Sequence, residues 1–270
     1  VAHAQEAAEK RGDITAEQRL RDWDRLRADQ HVAAVGGADL VIEAVPESLS
    51  LKSRVLATIG AELESGVPIF SVSCAFDPVD LASASGRPDL HLSLYLTEPV
   101  RQATLVEVTG DETDSRAFGA LHTLAKINGW QLLRNAPAQG FIGKRVWTAI
   151  GDAADRCLEA GAAPHEVDRA MRAYGLPMGP YELRDTYGLD HVLVSRPIRR
   201  RGVRPAPLGL SLLDTLIGAD RLGRKVGGGY HGYDPSQPPL RGDPEVNGHL
   251  DGLRKHKTLS YGEIQRRIVA

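Results

Sequence analysis

The 270-residue sequence holds only two cysteines, Cys74 and Cys157, two methionines and 5% aromatic residues. Two cysteines cannot build a disulfide framework, so a reducing compartment, the cytoplasm, is expected. No apolar run approaches the roughly 20 residues of a membrane-spanning helix. Net charge is only −2, from 33 basic and 35 acidic side chains. That balance supplies neither a basic surface for nucleic acid nor one for an acidic membrane, and neither partner is expected. Also missing is a G-x-G-x-x-G turn between a strand and a helix, the usual pyrophosphate cradle of dinucleotide-binding folds. "VGGAD" (35–39) precedes a strand instead of following one, and "VGGGYHG" (226–232) lies in the far half; both read as turns. The remainder is 42% hydrophobic and 25% charged, which is enough for one or two cores and, at this length, two domains.

Residues 1–30 read as two helices split at "RGDIT", with Asp13 or Thr15 as cap and Leu20, Trp23 and Leu26 among the apolar positions. "ADLVIEAV" (38–45) is a nearly continuous apolar run, as expected of a strand buried on both faces. A helix over 50–64, a strand "VPIFSVS", a short helix with Pro78 in its first turn, and strands "HLSLYL", "TLVEVT" and "WQLLRN" follow, with a helix over 115–128 before the last. Strand and helix alternate, so the first half is α/β with a mostly parallel sheet. After "NAPAQG" (135–140) the pattern turns helical, over 141–160, 164–173 and 180–195, with Gly175 as a break. The fold class is therefore α/β, a partial Rossmann-type sheet followed by an all-helical domain. The expected divisions are 1–137, 138–233, and 234–270 as a linker with the possible start of a second helical repeat. "RPIRRRGVRPAPLG" (196–209) reads either as a solvated loop or as a phosphate contact.

Five stretches go together: "ADLVIEAVPESLSLK" (38–52), "LVEV" (105–108), "QGFIGKR" (139–145), "GLPMGPYELRDTYGLD" (175–190) and "DRLGRKVGGGYHGYD" (220–234). In order and spacing they resemble the NAD-dependent 3-hydroxyacyl-CoA dehydrogenase family, over about residues 10–234. The resemblance implies a Rossmann domain for NAD and a helical domain that closes an acyl-CoA cleft and makes a homodimer. It implies oxidation of a 3-hydroxyacyl-CoA to a 3-oxoacyl-CoA in fatty-acid or related acyl-CoA degradation. That reaction needs a base for the hydroxyl proton, a task suited to histidine oriented by a carboxylate.

By that resemblance Glu107 takes the place of the orienting glutamate. The catalytic histidine of the family's "HFFNP" falls on Tyr95, and the asparagine of the same element on Glu98. The serine of "NTSS" falls on Cys74, and the asparagine of "GFIVNR" on Lys144. Glu47 and Lys52 match positions facing the nicotinamide side of NAD, and Lys225 matches the lysine of "GRKTG". No metal ligands are assigned. A phenol has a reference pKa of about 10, so Tyr95 replaces histidine only if something lowers that value. Lys144 would do so at close range, giving a Tyr/Lys pair. The alternative is that Tyr95 packs against its strand while Glu107 pairs with Lys144 or Arg101. His91 shares strand parity with Tyr95 but lies four residues, about 13 Å, away. Cys74 reads as a reactive thiol or as a small buried side chain.

The glycine loop of the family precedes the segment that "DITAEQRLRDWDRLRADQ" resembles, and the first residue is Val1. "EIQRRIVA" (263–270) faintly echoes "FIGKRVWTA" (141–149). The expectation is a piece of a longer protein. Two functions stay open: an NAD-dependent dehydrogenase with a substituted site, and a non-catalytic acyl-CoA-binding or assembly subunit.

Overall fold

The computed structural model describes residues 2–96, 100, 103–110, 115–136, 140–194, 209–234, 241–251 and 259–270. Glu98, Arg101, Gln139, the boundary at residue 137, most of the Arg/Pro-rich stretch and residues 235–240 lie outside that set. Two helices open the chain, α1 (Ala2–Lys10) and α2 (Ala16–Asp24). Thr15 caps α2: its hydroxyl accepts from Gln18 N–H while the Gln18 side chain accepts from Thr15 N–H, a reciprocal capping box. Leu20, Trp23 and Leu26 are all exposed.

A five-stranded sheet follows in the order β1 (Val41–Glu43), β2 (Ile69–Val72), β3 (His91–Leu96), β4 (Leu105–Gly110), β5 (Gln131–Arg134). All neighbours pair in parallel except β3 and β4, which are antiparallel. Alternate side chains leave opposite faces of a strand. One face carries Phe70, Leu92, Leu94, Val106 and Val108, covered by Ala117 and Leu121 of α5 (Ser115–Asn128). The other carries Val41 and Ile69, packed on Leu56 and Ile59 of α3 (Leu49–Glu62) and Leu81 of α4 (Pro78–Ala84). Complete burial of a leucine such as Leu121 contributes on the order of 2 kcal/mol. Asp77 caps α4 by accepting from Val79 N–H, and Pro78 takes the first helical position. The expectation that the first strand is buried on both faces fails. β1 has only three residues and Ile42, although in register with buried Phe70, is 49% exposed.

The second unit is helical: α6 (Ile142–Glu159), α7 (Pro164–Tyr174), α8 (Pro180–Tyr187), α9 (Leu189–Val194), α10 (Gly209–Gly218), α11 (Pro244–Asp251) and α12 (Tyr261–Val269). The single helix expected over 180–195 is two, because Gly188 sits at φ 94° and ends α8. The sequence reading missed α10, which follows directly on the Arg/Pro-rich stretch. The last helix packs against α6 and α7 and delivers Ile264 and Ile268 to the core around Val167, Met171 and Leu213.

The "PMGPYELRD" segment owes its shape to carboxylates. Asp168 of α7 accepts from Tyr181 N–H and Glu182 N–H, anchoring the first turn of α8. A Cβ on Gly179 would lie 2.3 Å from that carboxylate, so only glycine admits it. Asp185 accepts from Tyr230 N–H, His231 N–H and the Tyr233 hydroxyl, folding the glycine-rich "VGGGYHGY" into a turn, as expected, against α8. Arg184 reaches Asp155 of α6 through both terminal nitrogens, at 2.6 and 3.0 Å, in the buried core.

Candidate active site

Parallel β1, β2 and β3 all end on one edge of the sheet, where ligands settle in open α/β folds. The segments leaving that edge present Glu47, Cys74 and Tyr95. Helices α6, α8 and α9 face them with Lys144, Tyr187 and His191. A cavity of about 50 Å³ at the junction is lined by Tyr95, Lys144, Trp147, Tyr187 and Val192 among others. A second cavity, of about 490 Å³, opens between α4 and the starts of β3 and β5's exit, beside His91, Thr109 and Asn135, and shares no lining residue with the first.

Tyr95 is 4% exposed, and its ring stacks on Phe141 at 5.7 Å. Its hydroxyl meets the Tyr187 hydroxyl at 3.1 Å. Burial, then the neighbouring Tyr187, raises its pKa far above the usual phenol range. Of the two readings left open by the sequence, the Tyr/Lys pair is not formed and Tyr95 is packed. Lys144 directs its ammonium over the Tyr187 ring, 5.8 Å from the centroid. A larger residue than histidine fits at position 95 because α6 gives way: a Cβ on Gly143 would meet the Tyr95 ring at 3.2 Å.

Glu107 is the cross-strand neighbour of Tyr95, yet its oxygens turn to α6. They accept from Ile142 N–H at 2.8 Å, Gly143 N–H at 2.7 Å and the Asn135 amide at 2.6 Å. A carboxylate on the orphan amides of an 18-residue helix is an N-terminal anchor. The partner anticipated for it, Lys144, is not among these donors, and Arg101 lies outside the described residues.

Glu47 accepts from the Ser73 hydroxyl at 2.9 Å and Cys74 N–H at 3.2 Å. Burial raises its pKa, with the charge of Lys52 opposing. Lys52 itself is wholly buried, donating to Glu43 at 2.9 Å and to the Val72 carbonyl at 3.1 Å. It joins α3 to β1 and β2 and presents no ammonium to the cleft. Lys225 pairs with Asp190 at 2.5 Å, half exposed. Burial pushes the Cys74 thiol up, with Lys144 pulling it down. His91 is buried against the Ser71 hydroxyl at 2.9 Å, and burial lowers its pKa to about 4.

Residues 1–132 match the description "3-hydroxyacyl-CoA dehydrogenase, NAD binding domain", and residues 140–233 match "3-hydroxyacyl-CoA dehydrogenase, C-terminal domain". The chain belongs to the 3-hydroxyacyl-CoA dehydrogenase family. It is 30% identical over 267 residues to the human peroxisomal bifunctional enzyme, covering 90% of this chain and 36% of that protein. It is 29% identical to the fatty acid oxidation complex subunit alpha of Pseudomonas syringae, covering 91% and 34%. The chain thus spans about a third of the length of these curated relatives. Among solved structures, FadB2 of M. tuberculosis superimposes with a TM-score of 0.76 at 27% identity, covering 86% of this chain and 84% of that one. The (S)-3-hydroxybutyryl-CoA dehydrogenase PaaH1 of Ralstonia eutropha gives 0.72 at 26%, with the same coverage. A Rossmann-type unit followed by a helical unit is the arrangement expected from the sequence, and NAD is the cofactor of the matched amino-terminal domain.

In this family member the sheet edge and α6 bring Glu47, Cys74, Tyr95 and Lys144 to one cleft, with Glu107 directly behind. Lys52 is a buried strut and Lys225 sits at the rim. Two residues escaped the sequence reading. Tyr187 meets Tyr95 from 92 positions away. His191 stacks on Tyr187 at 5.8 Å and approaches Glu47 to 3.9 Å. Burial, then the charge of Lys144, lowers the His191 pKa to about 4, so its ring is neutral at pH 7. The signal for His191 was its place directly after "GLD" in a quoted motif. Nothing local distinguished it from a packing residue.

Proposed function

We propose that this chain is the dehydrogenase-type region of a fatty-acid-oxidation protein, and that it receives an acyl-CoA and the nicotinamide end of NAD without efficient hydride transfer, holding NAD weakly by itself because it has no glycine turn for the pyrophosphate. The observation that carries this reading is the Tyr95–Tyr187 hydroxyl contact where the family's base would stand. Bound NAD supplies the hydride acceptor. Oxidation of a C3 hydroxyl also requires a group that takes the proton near neutral pH. A buried phenol with a strongly raised pKa is in the wrong protonation state for that task. Glu107 offers no substitute, since its oxygens are committed to α6. The sheet edge with Glu47 and Cys74 is the surface on which the nicotinamide end would lie, Glu47 being a hydrogen-bond acceptor there. Lys144 and Trp147 border the space left for the acyl-CoA head. The division of the chain near residue 137, a cytoplasmic location and a homodimer through the helical unit belong to the same reading. Its two free, buried cysteines suit a reducing compartment.

The test is oxidation of NADH by the protein with acetoacetyl-CoA, beside thermal-shift titration of NADH, CoA and acetoacetyl-CoA. The expected result is a melting-point rise with CoA and acetoacetyl-CoA, little rise with NADH, and negligible turnover. Tyr95→His alone should restore little, since Cys74 and Lys144 also differ from the family pattern. Robust turnover that Tyr95→Phe abolishes would overturn the proposal.

A further inference from the structure

Three segments distant in sequence bring three different donor chemistries to one point. Glu47 follows β1, Cys74 follows β2, and His191 belongs to α9 of the helical unit. One ligand atom of each, a carboxylate oxygen, the thiol sulfur and an imidazole nitrogen, lies within 4.8 Å of the other two. We propose that Glu47, Cys74 and His191 form a three-ligand site for a thiophilic divalent cation of the zinc class, which joins the sheet edge to helix α9.

The geometry is close to what coordination requires. Donors around a tetrahedral zinc, with bonds of about 2.0–2.3 Å, stand roughly 3.5 Å apart. His191 Nε2 and Glu47 Oε1 are already at 3.9 Å. An inward movement of about 1 Å or less per side chain would therefore seat an ion. The surroundings orient the donors. Ser73 and the Cys74 amide hold the Glu47 carboxylate, and the Tyr187 ring stacks on His191 with an interplanar angle of 18°. Such outer partners fix ligand direction in metal sites. A thiolate with an imidazole and one carboxylate selects zinc or cobalt over magnesium or calcium, which prefer oxygen donors. Three protein ligands leave a fourth position open to water or another small donor.

Charge acts both ways. Lys144 opposes an incoming cation, but it also favours the thiolate and the neutral imidazole that a metal needs. Lys52 and Lys225 are already paired with Glu43 and Asp190. Thiolate and carboxylate together balance the two charges of the ion. Binding forms a metal–sulfur bond and releases the thiol proton to solvent.

The test needs neither NAD nor an acyl-CoA, so it is read without the dehydrogenase assay; an ion held here would take the place given above to the nicotinamide end, and the two ligands would compete. The metal-free protein is titrated with Co²⁺ alone, followed by the thiolate-to-cobalt charge-transfer band, and then with Zn²⁺ as competitor. One equivalent of Co²⁺ should produce the band, Zn²⁺ should displace it, and Mg²⁺ should do neither. Cys74→Ser should remove the band. His191→Gln, at a partly exposed side chain, should keep the band and weaken binding, read as a higher Co²⁺ concentration at half-saturation. Circular dichroism of the metal-free variants checks folding, and His191→Gln carries the test if Cys74→Ser does not fold. Absence of a thiolate band at saturating Co²⁺, or unchanged affinity in His191→Gln, would sink the proposal.

Discussion

Behind α8, three buried aspartates each face two or more donors: Asp155 meets Arg184 and Tyr181, Asp168 meets two amides and His231, and Asp185 meets two amides and Tyr233. At the cleft the groups that the resemblance puts at catalytic positions have looser company. Tyr95 has one hydroxyl contact and Lys144 lies over a ring. The polar groups that specify the fold fit together as a set, while those that the resemblance puts in proton transfer do not. Glu107 stands between the two regions: the resemblance puts it at the orienting position, and its hydrogen bonds hold a helix.

The contrast breaks most visibly behind α8. Asp155→Ala leaves the buried Arg184 guanidinium uncompensated and should cost about 3–5 kcal/mol of stability in urea unfolding. A loss below 1 kcal/mol would mean that the network is not what holds α6 to α8. The next largest effect is pH-dependent. His91 is 1% exposed, and its folded pKa of about 4 lies below the reference of 6.5. The unfolded chain thus binds the proton more readily, and stability falls as pH drops from 6.5 towards 4, by on the order of 3 kcal/mol. His91→Gln keeps a hydrogen-bonding group beside Ser71 without a titrating ring, so its melting temperature should fall less over that window. Asp185, whose pKa burial raises to about 6, works with the opposite sign, and the comparison is between variant and parent. The smallest effect sharpens the role of Glu107. Glu107→Gln has one carbonyl oxygen for the two α6 amides and should cost about 1–3 kcal/mol, seen by urea unfolding, with little change in any measurable turnover. A selective loss of turnover at unchanged stability would return Glu107 to catalysis.

Local signals were legible where the chemistry is local. The helix over 115–128, the Thr15 cap, the Pro78 turn and strands β3 to β5 follow from periodicity and capping residues a few positions apart. The family was readable from spaced motifs because those motifs encode packing: Gly179 for the approach of Asp168, and Gly229 for that of Asp185. The site was readable as a set of positions, not as a set of contacts. Glu107 finds its amides 35 and 36 residues on, and Tyr95 its phenol 92 residues on. No window of sequence holds both partners. The break at Gly188 escaped for another reason: apolar spacing continues across it, and only the backbone turn shows that α9 begins anew and points His191 at Glu47.

The missing side chain at Gly143 couples two neighbours of the cleft. A Cβ there would lie 2.8 Å from a Glu107 oxygen and 3.2 Å from the Tyr95 ring. The first turn of α6 therefore closes on the phenol and the carboxylate together only because nothing stands between them. A side chain added at this one position has to push the ring or the carboxylate aside, so the room for residue 95 and the grip of Glu107 on α6 are set at a single backbone point.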